Sequence, residues 1–398
     1  MSKKILIPLA IFILFLVIFY YFFGASVARL FYAPQNPPAD LSRGSTTNTA
    51  YLISGDYEVV AQDLKIPWEI AFLPDGDLLV TERPGTLLRI PRPEGPRSRP
   101  TEVGLGIGKD KKAYRVEGVV HQGEGGLLGM ALHPAFRQNN WIYLYLTSRV
   151  GGDLVNRVER YVLEKDRLSE KTLIIGNIPG ASYHDGGRIE FGLDGMLYVT
   201  TGDAGKSNLA QDINSLAGKI LRVREDGSIP ADNPFGNAVW SYGHRNVQGI
   251  AWDDQGRLWA TEHGRSGILS GFDELNLIEK GKNYGWPEIQ GNEKRDGMEA
   301  PVFHSGADYT WAPADIEYMG GSLFFGGLRG EALYEVTIPG GEIPPKLKIN
   351  FSGAFGRVRA VRLGPDGNLY ITTSNTDGRG MEREGDDKIV RLYFRPAR

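Results

Sequence analysis

Four polar stretches hold the residues best suited to chemistry: Ser182-Tyr183-His184-Asp185-Gly186-Gly187-Arg188, Gly243-His244-Arg245-Asn246, Glu262-His263-Gly264-Arg265 and Gly356-Arg357-Val358-Arg359. An imidazole titrates near neutral pH, so His184 is a candidate general base. Asp185 and the Gly202-Asp203 turn offer carboxylates to orient its ring. A lone histidine is more often structural, and His244 and His263 are read that way. Arg357 and Arg359 alternate along an expected strand, which puts both side chains on one face. Two planar guanidiniums there suit a carboxylate or phosphate anion; the bland alternative is a solvated strand face. The chain has no cysteine, which excludes disulfides, thiolate metal sites and cysteine nucleophiles. Neither a His-Glu-x-x-His metal motif nor a Gly-x-Ser-x-Gly elbow occurs. Oxygen ligands without sulfur favour calcium if a metal is bound.

The elements that must position these residues announce themselves as a repeat. Asp-Gly or a polar equivalent, then an alternating strand ending in Thr, recurs at Pro74-Asp75-Gly76, Asp194-Gly195, Asp254-Gln255-Gly256 and Pro365-Asp366-Gly367. Weaker copies stand at Asn139-Asn140 and Gly320-Gly321. Such turns need positive φ and mark hairpins. Six copies spread from Gly76 to Gly367 leave room for about four strands each, the unit of a β-propeller blade. The polar stretches fall between the repeat strands, where loops of neighbouring blades converge. Helical patterns are short, at Asn208–Leu216 and in a turn around Phe272–Glu279. Gly104-Leu105-Gly106-Ile107-Gly108-Lys109 matches neither nucleotide-binding glycine fingerprint and reads as a loop.

The whole chain adds context. Its 398 residues are 41% hydrophobic and 23% charged, with 52 glycines and a net charge of −3. That is a turn-rich globular composition without a basic field, so nucleic acid is not an expected partner. Lys3 and Lys4 precede an uncharged apolar run, Ile5–Phe23, which as a helix would reach about 30 Å, the thickness of the bilayer's hydrocarbon core. The expectation is a retained transmembrane anchor over residues 1–23 with the remainder exported, although Ser26-Val27-Ala28 would also suit signal cleavage. Residues 24–50, with Pro34, Pro37 and Pro38, read as a tether, and residues 51–398 as one globular body.

Beyond these readings the sequence resembles the soluble glucose dehydrogenase and aldose sugar dehydrogenase group, the glucose/sorbosone dehydrogenases, from about Val59 to Tyr393. The landmarks are Gly125-Gly126-Leu127-Leu128-Gly129, Ala131-Leu132-His133-Pro134, and His184 followed by Gly187-Arg188. Gly202-Asp203, Tyr242 through Gly249, Glu262-His263-Gly264 and Asn283-Tyr284-Gly285-Trp286-Pro287 complete the set. The resemblance implies an all-β, six-bladed propeller that oxidises aldoses to lactones with pyrroloquinoline quinone (PQQ) and calcium, passing electrons to an acceptor the sequence does not name. It assigns His184 as the base, supported by Asp203. Arg245, Asn246, Arg357 and Arg359 would contact the cofactor. The carbonyls of Gly264 and Arg265 would bind one calcium, and Glu274 with the carbonyl of Tyr284 a second.

Three positions depart from the family pattern. Glu124 stands where a cofactor-side glutamine is found, Arg329 where a cofactor-binding lysine is found, and Arg265 where a proline is found. Two rival readings remain open at this level: a propeller that binds carbohydrate or protein without catalysis, and a calcium-dependent propeller lactonase. The arginine set argues against the lactonase, whereas the altered Glu124 and Arg329 keep the binding module in view.

Overall fold

The computed structural model describes residues 51–92, 111–265, 271–338 and 345–396. The expected anchor and tether, and the Gly104–Lys109 loop, lie outside the described residues. Among the described residues no helix is long and apolar enough to cross a membrane.

The described strands form six four-stranded antiparallel sheets. The first strand, β1 (Tyr51–Ala61), belongs to the last sheet. Blade I holds β2 (Pro67–Phe72), β3 (Leu78–Glu82), β4 (Thr86–Ile90) and β5 (Lys112–Arg115). Blade II holds β6 (Leu127–Leu132), β7 (Trp141–Val150), β8 (Asp153–Leu163) and β9 (Leu168–Pro179). Blade III runs β10 (Ile189–Phe191), β11 (Leu197–Thr200), β12 (Lys219–Val223) and β13 (Val239–Tyr242). Blade IV runs β14 (Val247–Trp252), β15 (Leu258–Glu262), β16 (Glu274–Ile278) and β17 (Phe303–His304). Blade V is β18 (Pro313–Met319), β19 (Ser322–Gly327), β20 (Ala332–Thr337) and β21 (Lys346–Asn350). Blade VI is β22 (Val358–Leu363), β23 (Leu369–Thr373) and β24 (Ile389–Pro396), completed by β1.

This is the expected six-bladed propeller. Each of the six repeat turns joins the first strand of a blade to its second. Two local expectations are corrected. The Asn208–Leu216 segment forms only a 3₁₀ turn, Ser207–Gln211, because the chain here is a short connector packed on its neighbours. The segment around Phe272–Glu279 is strand β16, since pairing with β15 overrides its weak local preference.

The core lies between blades, where alternate side chains of facing sheets interlock. Tyr145, Val158 and Ile178 of blade II meet Ile189, Val199 and Leu221 of blade III in one such layer. Nearer the axis the filling is ionic. Fully buried Arg188 pairs with Glu69, and its Nε lies 3.1 Å from Asp315 Oδ1. Arg362 reaches Glu69 at 3.0 Å and Glu190 at 2.8 Å. Blades I, III, V and VI are thereby tied together beneath the loops that carry the site.

Candidate active site

One end of the propeller gathers the loops that precede the first strands and follow the second. They enclose a cavity of about 500 Å³. Its wall includes Glu124, His184, Arg245, Gly264, Arg265, Arg329 and Arg357 from the sequence-derived set. Asp203 stands behind His184, while Asn246 and Arg359 are buried outside that wall.

His184 and Asp203 meet as expected. His184 Nδ1 lies 2.7 Å from Asp203 Oδ1. Asp203 also accepts the Gly205 N–H at 2.8 Å and the Trp286 indole N–H at 2.9 Å. Burial works to raise the Asp203 pKa, but the His184 contact, Gly205 and Trp286 outweigh it and hold the group below its ordinary value. An ionised carboxylate only accepts hydrogen bonds, so Nδ1 carries the proton of the neutral ring and Nε2 keeps its lone pair. Nε2 has no hydrogen-bond partner among the described residues, and the ring lines the cavity. The main chain of His184 is in the left-handed region, with φ 60°, and its N–H donates to Glu124 Oε2 at 2.9 Å. Asp185, the other carboxylate weighed for this role, turns away to Asn156 and the Ala181 N–H.

The cationic set divides in two. Arg357 precedes β22 and is already paired: its Nε and Nη2 reach Asp377 Oδ2 at 3.1 and 2.7 Å. Arg359 is buried and donates to Gln248 Oε1 at 2.7 Å. Arg357 immediately precedes β22, and the β22–β23 register shifts between Val358 and Val361, yet the charges of both guanidiniums act on Asp377. Burial pushes Arg359 down to about 9, and Arg83 and Arg357 add to that shift against Asp377. Its Nε is buried without a partner among the described residues. Asn246 accepts from Gly186 and Gln248 through Oδ1, and its Nδ2 is similarly orphaned. Arg245 stands over the Trp286 ring at 5.2 Å.

Several site residues escaped the sequence reading. Arg379 lines the cavity and bonds Glu124 Oε1 at 2.6 Å. Burial raises the Glu124 pKa, yet Arg379, the His184 N–H and His263 more than offset it and bring the group to about 2. His263, read as structural, lines the cavity too; burial lowers it to about 3. Asp273 accepts the N–H groups of Gly264, Trp311 and Ala312, pinning two loops together. Only the acidic and basic character of Asp273, Asp377 and Arg379 was visible in the sequence; their partners are distant in the chain.

The expected metal residues converge on a second, small cavity of about 10 Å³, lined by Glu262, Gly264, Arg265, Glu274 and Tyr284 among others. That volume holds about one water-sized occupant. Glu274 faces Glu262 across β15–β16, and burial, with the Glu262 charge adding to it, raises its pKa well above the carboxylate range. Two facing carboxyls, Glu262 buried and already bonded to His244 and the Arg245 N–H, Glu274 partly buried, with nearby carbonyls, fit a hard cation. The Tyr284 hydroxyl is used internally, donating to the Leu277 carbonyl at 2.6 Å, which leaves its carbonyl as the candidate ligand. Among the described residues no three His, Asp or Glu side chains form a metal cluster. The larger cavity, with five arginines and buried orphan donors behind it, fits a multiply anionic planar group such as PQQ.

Comparison with known proteins agrees with this geometry. A structure of the PQQ-bound form of aldose sugar dehydrogenase from Streptomyces coelicolor is 40% identical, with TM-score 0.76, covering 87% of this chain and 100% of that one. A putative oxidoreductase (glucose dehydrogenase) of Thermus thermophilus is 41% identical with TM-score 0.76, covering 85% of this chain and 99% of that one. Aldose sugar dehydrogenase of Escherichia coli is 33% identical over 81% of this chain and 90% of its own length. The sequence model of the glucose/sorbosone dehydrogenase family matches residues 64–383, and with the blades and the His184–Asp203 pair in place, the chain belongs to that family.

Proposed function

We propose that the chain is a PQQ-dependent sugar dehydrogenase that oxidises the anomeric carbon of an aldose to the lactone. When bound, the quinone supplies a two-electron acceptor for the hydride leaving that carbon. His184 Nε2 takes the anomeric hydroxyl proton, and Asp203 steadies the imidazolium that results. Arg245, Arg329 and Arg357 would hold the anionic cofactor, with the orphan donors of Arg359 and Asn246 as further candidates to bond it. The Gly264 and Arg265 carbonyls would hold one calcium, and Glu274 with the Tyr284 carbonyl would hold a second; the first would supply Lewis-acid polarisation of the quinone.

The observation that carries this reading is the Nδ1-anchored His184 ring, with Nε2 left facing an arginine-lined cavity. Single-turnover mixing of sugar with quinone- and calcium-loaded protein tests it. His184→Ala is expected to bind quinone normally and reduce it about 10²–10⁴-fold more slowly. His184→Gln should be nearly as slow, and Asp203→Asn intermediate. A wild-type rate in His184→Ala overturns the base assignment.

A further inference from the structure

The wall of the larger cavity is rich in arginines and carboxylates, and among its described residues one carbocyclic aromatic ring appears, that of Tyr183. Tyr183 immediately precedes the base. Its ring meets the His184 imidazole edge-on, with centroids 4.8 Å apart and planes at 86°. It also lies close to Gly205, whose N–H is bonded to Asp203. A Cβ at position 205 would fall 2.6 Å from the Tyr183 hydroxyl and 2.8 Å from its ring, so the bare glycine lets the tyrosine lie directly against this turn. Gly205 also has φ +70°, which suits glycine. The ring is therefore seated, yet 45% of the residue stays exposed. Its hydroxyl makes no hydrogen bond with any described residue. An aromatic ring held against two neighbours and otherwise well exposed, with a free hydroxyl, has the form of a ligand platform.

We infer that Tyr183 is a substrate-binding residue, whose ring takes the apolar C–H face of a pyranose and whose hydroxyl bonds a ring substituent. This rests on the proposed sugar oxidation and adds the part of the sugar that is read. A sugar whose anomeric hydroxyl approaches His184 Nε2 must extend over an adjoining surface, and Tyr183 is the neighbour in sequence and in space. The arginines are suited to carboxylates, and a neutral sugar gains little from them. The ring instead favours substrates with several axial hydrogens on one face. Open-chain aldoses have no such face.

Sugar titrations of the quinone- and calcium-loaded protein, read as single-turnover rates, provide the first test. Tyr183→Ala is expected to raise the half-saturating concentration of a pyranose roughly tenfold. The saturating rate should fall much less. Tyr183→Phe keeps the ring and should recover most of that affinity, whereas Tyr183→Leu, of similar bulk, should not. With glyceraldehyde, an aldose too short to cyclise, whose aldehyde hydrate would lose a hydroxyl proton and a hydride to give the acid, wild type and Tyr183→Ala should half-saturate alike. Quinone affinity, followed by quenching of tryptophan fluorescence, should be the same in all four proteins. An unchanged half-saturation for pyranoses in Tyr183→Ala overturns the platform. If no sugar reduces the quinone, the oxidation reading has failed, and saturation-transfer NMR of a pyranose with the quinone-free protein still decides this one. Transfer to the sugar's C–H protons that is lost in Tyr183→Ala supports the platform; equal transfer, or none in wild type, rejects it.

Discussion

At the scale of single residues, Glu124 shows how one exchanged atom alters a site. A glutamine amide at this position would still accept the His184 N–H, but only the carboxylate also makes a charge-assisted bond to Arg379. The Glu124 pKa falls from 4.5 to about 2 on folding. A depressed carboxylate stabilises the fold above its unfolded value and loses that contribution as pH falls through the folded one. Wild-type protein should therefore lose melting temperature more steeply than Glu124→Gln between about pH 5 and pH 2. Parallel slopes in thermal scans across that window would refute the assignment. Sequence and structure agree best where partners are close along the chain or carried on recognisable turns. His184 and Asp203 were legible because each sits beside glycines that shape a loop. Arg379 was not, because its partner Glu124 lies 255 residues away and no local pattern links them. Arg357 and Arg359 were half legible: their anion affinity is intrinsic, but Asp377, the carboxylate both act on, lies about 20 residues further along the chain with no local pattern to mark it.

At the scale of elements, the turns did most of the specifying. Asp194 Oδ1 accepts the Met196 N–H and Asp366 Oδ1 the Asn368 N–H, each closing a turn across a glycine with positive φ. That chemistry is local, so the six hairpins were readable before any fold was known. Loops beyond the second strands are shaped instead by close backbone contacts within them and by bonds to the next blade, such as that of Asp273 with the Trp311 N–H. Gly264 is the sharpest case. A Cβ there would lie 2.2 Å from the Gly271 carbonyl oxygen and 2.3 Å from the Phe272 carbonyl carbon, both backbone atoms that cannot swing aside. Gly264→Ala should thus force Gly264 apart from Gly271 and Phe272 at a cost of about 1–3 kcal/mol. The proposed calcium ligands move with it. Melting temperatures with and without added calcium should show a smaller calcium-induced rise in the variant than in wild type. An undiminished rise would remove the Gly264 loop from the metal site. Lys219 makes a different anchor, its ammonium donating to the carbonyls of Leu209, Ala210 and Ala217 at 2.8, 2.9 and 2.6 Å. Replacing it by Met leaves three carbonyls short of a donor and should cost about 1–3 kcal/mol in denaturant titrations. Lys219→Met at wild-type stability would show those bonds to be dispensable.

At the scale of the molecule, the ring closes where the two ends of the chain meet. Strand β1 pairs antiparallel with β24, from Tyr51 opposite Pro396 to Ala61 opposite Ile389. Glu58 on β1 pairs with Arg391 on β24 and accepts the Tyr393 hydroxyl at 2.9 Å. Val60 and Ala61 are buried in the layer that blade VI shares with blade I. A propeller with every blade paired leaves few exposed edges, so this one strand protects both blade VI and its contact with blade I. The same strand is where residues 1–50 join the body, and we propose that the apolar Ile5–Phe23 segment anchors the exported propeller to a membrane through the Pro-rich tether. Anchor and closure are then separable by truncation. Full-length protein should sediment with membranes, whereas a chain starting at Tyr51 should be soluble and bind quinone, because every β1 pairing is intact. A chain starting at Gln62 lacks β1, exposes the edge of β24 and uncovers the Val60 and Ala61 layer. It should melt well below the Tyr51 chain and aggregate on heating, with loss of quinone binding because Arg357 and Arg379 flank strands of the opened blade. Soluble full-length protein would dismiss the anchor without touching the fold. Equal melting temperatures for the two truncated chains would show that β1 is an ornament of blade VI and that the ring is closed by its inner strands and axial ion pairs alone.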